Sequence, residues 1–403
     1  MSNRLPLAVI LATVMLDAIG IGLVFPLMPA LLERLTGGSL AEAALWGGRL
    51  ATAFAVMQFL CGPLVGNLSD RFGRRPVLLA SLAAMAANYV VMALAGSVWV
   101  LLVGRIGAGI AAATQSTASA YAADVTPAES RGRAFGLIGA AFGLGFIAGP
   151  LLGGLLAEVG LRVPFWAAAG MAAANLVFGA LALPESLPEA GRRPFRLARA
   201  NPFAALAALG QLPGLARLLA IFLIYSIAFY VWPAVWSYYG AAAFGWGAWM
   251  IGLSLALFGA CMVLVQALMI GPAIRRFGEP RAALFGMLID LATYVFYGFV
   301  GSAFWALAFT PISALGGLVT PALQSTMSRT TPADAQGELQ GVLSSLSALS
   351  MILSPLVMTA TFSAFTAPGA PIRLPGAPFL LSALLMVVCV ALHVAPPRAG
   401  RPA

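Results

Sequence analysis

The chain has 403 residues, 61% hydrophobic and 9% charged, with mean hydropathy +0.96 and a formal net charge of +9. A water-soluble globule cannot hide that much apolar surface, and the 22 basic residues are all arginine. They lie in short segments between apolar runs, which argues against a nucleic-acid surface and for orientation in a membrane. Runs of about 20 apolar residues, enough to cross a bilayer, recur about a dozen times. Cys61, Cys261 and Cys389 are scattered in such runs and read as small core residues, not as a metal or disulfide set. His393 is the only histidine. No nucleophile, metal cluster or phosphate loop suggests an enzyme.

The first predicted span covers about residues 5–32 and reads as an uncleaved helix rather than a signal peptide. It carries Asp17 in Leu-Asp-Ala-Ile-Gly-Ile-Gly, then Pro26 and Pro29. A carboxylate at that depth costs roughly 2.5–3.5 kcal/mol even on the milder insertion scale, so it usually faces the bundle interior or a wet cavity. Snorkelling toward one end, or pairing with an arginine, is the plainer alternative. The second span, 46–68, holds Gln58, and the third, 77–94, holds Asn88. Between them runs a charged hairpin, Gly66-Asn-Leu-Ser-Asp70-Arg71-Phe-Gly73-Arg74-Arg75. Its charges alone make an anchor at the membrane surface; its spacing is more specific.

The fourth span, 98–121, carries Gln115 and Arg105, the one arginine well inside a span. It should meet a counter-charge or a water-filled cavity. The fifth contains Gly145, Gly149, Pro150, Gly153 and Gly154. Small residues one turn apart allow close helix contact, and proline removes a backbone hydrogen bond and bends the helix. The sixth span, 164–183, ends a first domain, 1–183. Residues 184–214, rich in proline and arginine, form a basic linker, in part a surface helix. A second domain, 215–403, holds spans near 215–239, 248–272, 281–301, 303–325, 339–363 and 376–395. They carry Tyr225, Trp236, Met262, Gln266, Asp290 and Gln324.

A single constant offset superposes the halves: Phe72-Gly73 on Phe277-Gly278, Thr126-Pro127-Ala128 on Thr331-Pro332-Ala333, and Gly149-Pro150-Leu151 on Ser354-Pro355-Leu356. The fold expected is an all-α membrane protein of twelve spans in two pseudo-symmetric six-helix bundles, with a binding site between them. The second hairpin has drifted, with Arg275, Glu279 and Pro280 at the positions of Asp70, Arg74 and Arg75. Arginine lies mainly on the side of the hairpins and linker, so both termini are expected to be cytoplasmic.

The hairpin spacing resembles the signature of major facilitator transporters. With Leu16-Asp17, Gly104-Arg105, the fifth-span glycine–proline pattern and Pro321-Ala-Leu-Gln324, nearly the whole chain resembles the tetracycline–proton antiporters. The resemblance implies a multi-pass inner-membrane exporter working by alternating access. Its partners would be a small-molecule drug, protons and the bilayer, with no nucleic acid. Asp17, Asp290 and Arg105 would couple to protons. Gly66, Asp70, Arg71, Gly73, Arg74 and Arg75 would form the cytoplasmic gate, Asp70 docking near Gly337 at the start of the eleventh span. Gly145, Gly149, Pro150, Gly153 and Gly154 would be the antiporter signature. Gln58, Asn88, Gln115, Tyr225, Trp236, Met262, Gln266 and Gln324 are candidates to line the substrate site; each is equally readable as a packing residue. No permanently bound cofactor or metal is implied, only the proton gradient and a divalent cation carried with the drug. Asn88 and Met262 stand where the family often has an acid and a histidine. An exporter of another drug class, and a proton-coupled importer of a sugar or metabolite, share the scaffold. A membrane receptor is the non-transport alternative, and it leaves three intramembrane charges unexplained.

Overall fold

A backbone in lipid has no hydrogen-bond partner but itself, and the apolar runs accordingly become helices. The computed structural model describes residues 4–112, 114–195, 201–203 and 214–395; the side chains of residues 4, 5, 114–116, 128 and 333 lie outside the description. Eleven helical segments are long and apolar enough to cross a membrane, and the fourth span supplies a shorter apolar helix.

In the first half these are α1 (Arg4–Val24), continued through a 3₁₀ turn into α2 (Met28–Thr36); α3 (Leu40–Phe72); and α4 (Arg74–Leu94). The fourth span is divided into α5 (Val98–Ala111) and α6 (Thr114–Val125), followed by α7 (Arg131–Val159) and α8 (Val163–Ala182). The second half opens with α9 (Ala216–Phe229) and α10 (Val231–Phe244), then α11 (Ala248–Leu268) and the short α12 (Ile270–Phe277). Next come α13 (Glu279–Phe299), then α14 (Ala303–Ala308), α15 (Thr310–Ser313), the 3₁₀ turn Ala314–Leu318 and α16 (Val319–Thr330). Last are α17 (Gln336–Ala364) and α18 (Ala377–Val394). Of the basic linker, the described part holds one 3₁₀ turn, Glu189–Gly191; Arg196 and Arg199 lie outside the described residues.

Local chemistry sets the ends. Ser39 and Ser97 cap α3 and α5, accepting from the N–H groups of Glu42 (3.4 Å) and Val100 (3.5 Å). The α3–α4 turn passes through Gly73 at φ 103°, and the α12–α13 turn through Gly278 at φ 75°. Side chains resist that region, so both hairpins keep a glycine at the same point of the repeat.

Helix pairing follows the repeat too. In the first half α1 lies along α7 and α4 along α8; in the second, α9 lies along α17 and α13 along α18. Between the halves, α7 packs on α11 and α3 on α17. These cross-contacts crowd the face opposite the hairpins. A Cβ on Gly252 would overlap the Pro150 carbonyl, one on Gly154 would come to 2.6 Å from the Ala248 oxygen, and one on Gly48 to 2.9 Å from the Pro355 oxygen. Thr52 donates to Ile352 O at 3.0 Å, and Ser237 to Phe25 O at 3.1 Å. Toward the hairpins the contacts run out. Gly132, Gly136 and Gly139 on α7, and Gly62 and Gly66 on α3, have nothing within 4 Å of a Cβ position. The halves are thus sealed at one face and apart at the face bearing the hairpins.

Candidate transport site and gates

Asp17 sits on α1, half-buried. One turn on, Gly20 leaves room for the Tyr89 hydroxyl of α4, which would stand 2.9 Å from a Cβ there. Asp17 and Arg105 both act electrostatically on that hydroxyl. The structure thus brings Asp17, Tyr89 and Arg105 into one neighbourhood, which Tyr238 of α10 joins from the other half. Tyr238 also presses its hydroxyl on Gly47 of α3. Sequence reasoning expected a counter-charge or a wet cavity for Arg105. Among the described residues no ion pair forms there; the guanidinium lies 5.9 Å from the Phe54 ring, and its Nε is buried without a partner.

Asp290 is 1% exposed, inside the second half. Its carboxylate fills the space that a side chain on Gly316 would occupy. The Tyr225 hydroxyl interacts with it and donates to Gly316 O at 3.3 Å. Among the described residues Asp290 Oδ2 is left without a partner, as is the Thr293 hydroxyl nearby on α13. On the adjacent Gly317, a Cβ would meet Met262 Sδ at 3.0 Å. The Gly316-Gly317 pair therefore cradles Asp290 and Met262. Sequence reasoning missed it, although a glycine doublet in mid-span was the available signal. Asp290 is enclosed, Asp17 is half-buried beside Tyr89, and the two occupy different halves.

The other candidate substrate residues disperse. Asn88 is buried between α4 and α5, donating to Met92 Sδ at 3.6 Å, with its Oδ1 against Gly104 and unpartnered. Trp236 is 5% exposed, donates to Ser254 Oγ at 2.9 Å and packs against Trp232, Trp246, Tyr297 and Phe379. Gln58 and Gln324 are half-buried and Gln266 is exposed. The Gln115 side chain lies outside the described residues.

The fifth-span glycines serve two contacts. Gly145, Gly149 and Gly153 let α7 touch the α1 backbone at Met15, Ile19 and Leu23, while Pro150 and Gly154 meet α11 across the halves. In the second copy, Ser350 and Ser354 of α17 donate to Leu223 O (3.5 Å) and Ile227 O (2.9 Å) of α9.

At the hairpin, Arg74 bridges Asp70 (2.6 Å) and Asp124 (3.1 Å). Glu185, just past α8, accepts from the Arg74 and Arg75 backbone N–H groups at 2.9 and 3.3 Å, capping α4. Arg75 reaches Ala180 O at 2.6 Å, and Arg71 lies 5.1 Å from the Phe72 ring. Gly66 and Gly337 have nothing within 4 Å of a Cβ position, so this conformation does not show Asp70 docked on the eleventh span. The second hairpin holds an ion pair of its own, Arg329 to Glu279 at 2.8 Å. Under the offset that superposes the halves, those two residues fall on Asp124 and Arg74. What reads as drift in sequence is the same bridge with its charges exchanged.

Twelve spans in two related halves, sealed at one face and parted at the other, with an acid inside each half, define a membrane transporter. The Major Facilitator Superfamily model matches residues 10–355. The class C tetracycline resistance protein of Escherichia coli is 42% identical over 97% of this chain and 96% of its own length. The class G tetracycline resistance protein of Vibrio anguillarum is 39% identical over 94% and 95%. A crystal structure of the human organic anion transporter MFSD10 (TETRAN) superposes with a TM-score of 0.71 at 27% identity, covering 98% of this chain and 100% of that one. The chain belongs to the major facilitator superfamily and, within it, to the family of the tetracycline resistance proteins.

Proposed function

We propose that this chain is a proton-coupled antiporter that exports tetracycline or a related drug across the inner membrane by alternating access. The observation that carries the reading is Asp290, enclosed in the second half with one carboxylate oxygen unpartnered. A lone charge there is costly, and a proton relieves that cost. Asp17 sits beside Tyr89 and Arg105 in the first half. With both acids ionised, Asp17, Arg105 and Asp290 sum to one negative charge. One proton, or one cationic substrate, neutralises it, so the two compete. Inward movement of one positive charge supplies about 2.3 kcal/mol per 100 mV.

The arginine distribution supports placing the hairpin face in the cytoplasm with both termini. That face carries Arg71, Arg74, Arg75, Arg131, Arg133, Arg192, Arg193, Arg217, Arg275, Arg276, Arg281 and Arg329; the other carries Arg34, Arg49, Arg162 and Arg373. On this assignment the conformation is open inward, ready to receive drug and release a proton. Asp70 would dock at the start of α17 when that face closes.

The names of the relatives support tetracycline as the cargo. One observation favours a second reading within drug export: Met262, against Gly317, supplies a thioether where the family resemblance expects an imidazole. A drug carried without a divalent cation fits that site better. The test is drug-driven proton release from sealed vesicles, across a drug panel with and without magnesium. Asp17→Asn and Asp290→Asn should each abolish release while membrane levels hold. Wild-type exchange in both variants would reject the scheme.

A further inference from the structure

The two hairpins differ in a way that neither shows alone. In the first, Asp70, Arg74 and Asp124 run negative, positive, negative; their counterparts Arg275, Glu279 and Arg329 run positive, negative, positive. The central bridges both exist, Arg74–Asp124 at 3.1 Å and Glu279–Arg329 at 2.8 Å. The reversal is therefore built into the fold. It leaves Arg275 exposed on the last turn of α12, without an ion pair among the described residues.

The contacts at the sealed face give the register in which the halves meet. Along α7 and α11, antiparallel, Gly154 meets Trp249 and Gly143 meets Val263. From that last contact, the stretch back from Gly143 to Glu129 and the stretch on from Val263 to Arg275 match in length to within one helical turn. Both lead toward the hairpin face, so Glu129 and Arg275 arrive at similar depth on opposite sides of the opening. Glu129, just ahead of α7, is exposed and likewise has no ion pair among the described residues. Arg131 beside it is turned away, donating from Nε to Ala123 O at 3.2 Å. The other side of the interface behaves differently. From the Thr52–Ile352 contact, the stretch on to Asp70 is as long as the stretch back to Asp334. Asp334 thus falls at the depth of Asp70, acid against acid, and Asp70 is already held by Arg74.

We infer that Arg275 and Glu129 form a second latch, an ion pair made across the halves only when the hairpin face closes. It rests on the alternating-access reading above. Charge reversal in the second hairpin turns what would be an acid facing an acid into a basic group facing an acid. One of the two cross-contacts thereby becomes attractive, and the closed state gains a contact that the open state lacks. The open state shown here has Gly136, two turns along α7 from Gly143, uncovered; closure covers it.

The experiment places cysteine at Gly136 in full-length protein whose three native cysteines are alanine, in inside-out vesicles. An impermeant maleimide reports how often the face is open. Arg275→Glu and Glu129→Arg should each raise the labelling rate about 1.5- to 5-fold, the range for a pair near solvent. The exchange of both residues should return it to the parent value. Arg275→Gln, which adds no repulsion, should fall between. The inference is overturned if neither reversal changes labelling, or if the exchange labels as fast as the single variants. Labelling is read without drug, so it stands apart from the cargo. Labelling as expected, with no efflux of any tetracycline, upholds the latch and rejects that cargo.

Discussion

Gly252 on α11 sits so close to Pro150 of α7 that a Cβ would overlap the proline carbonyl, and Gly154 Cα would lie 3.3 Å from it on the other side. Both obstacles are backbone, which cannot swing away as a side-chain end can. Gly252→Val therefore forces α7 and α11 apart where the face opposite the hairpins is sealed. Overpacking of this kind costs roughly 1–3 kcal/mol. The cost falls only on the conformation in which these helices touch, so it shifts the balance toward opening by about 5- to 150-fold. Thr52, which bonds Ile352 O across the other inter-half contact, is the reporter. In a background free of native cysteine, Thr52→Cys should react faster with an impermeant maleimide added outside intact cells when Gly252→Val is present. Gly170→Val, on α8 with nothing within 4 Å of its Cβ position, is the control and should leave the rate unchanged. If Gly252→Val reaches the membrane in normal amount and labels no faster than the parent, α7 and α11 do not form the seal.

Two further outcomes test local geometry. Glu185→Gln weakens the acceptor that caps α4 at the Arg74 and Arg75 N–H groups; it should cost about 0.5–2 kcal/mol, read as a lower unfolding midpoint in detergent, with Glu185→Asp intermediate. Ser254→Ala removes the acceptor for Trp236 Nε1. It should cost roughly 0.6–1.7 kcal/mol, as for hydrogen bonds between membrane helices, and lower the same midpoint. Substrate affinity should hold, because the tryptophan is 5% exposed and enclosed by aromatic rings.

How much of this was legible beforehand varies with the range of the interaction. Span positions, the hairpin, the repeat and the two acids within spans follow from short stretches of sequence. Lipid solvates neither a free backbone group nor a lone charge, so length and residue type alone expose them. Trp236 shows the limit. Its place in a span left a ligand wall and a packing role equally open, and only the packing of α10 against α11 and α18 shows it enclosed among aromatic rings. Arg105 shows it again: a lone arginine in a span announces a special environment, but not that it shares one with Phe54, Tyr89 and Tyr238 and makes no ion pair among the described residues. Glu279 differs in kind. Position by position it reads as a lost arginine, and its meaning appears only when Arg329, from the far end of α16, is seen at 2.8 Å.

Sequence by itself determined that this chain crosses a membrane about a dozen times and buries charge while doing so. Tertiary structure decided which face is shut, what stands around Asp17 and Asp290, and that the second hairpin keeps its bridge in reverse. The reason is physical: the cost of a polar group in lipid is paid wherever it lies, whereas a partner, a seal or an opening exists only between segments far apart in the chain.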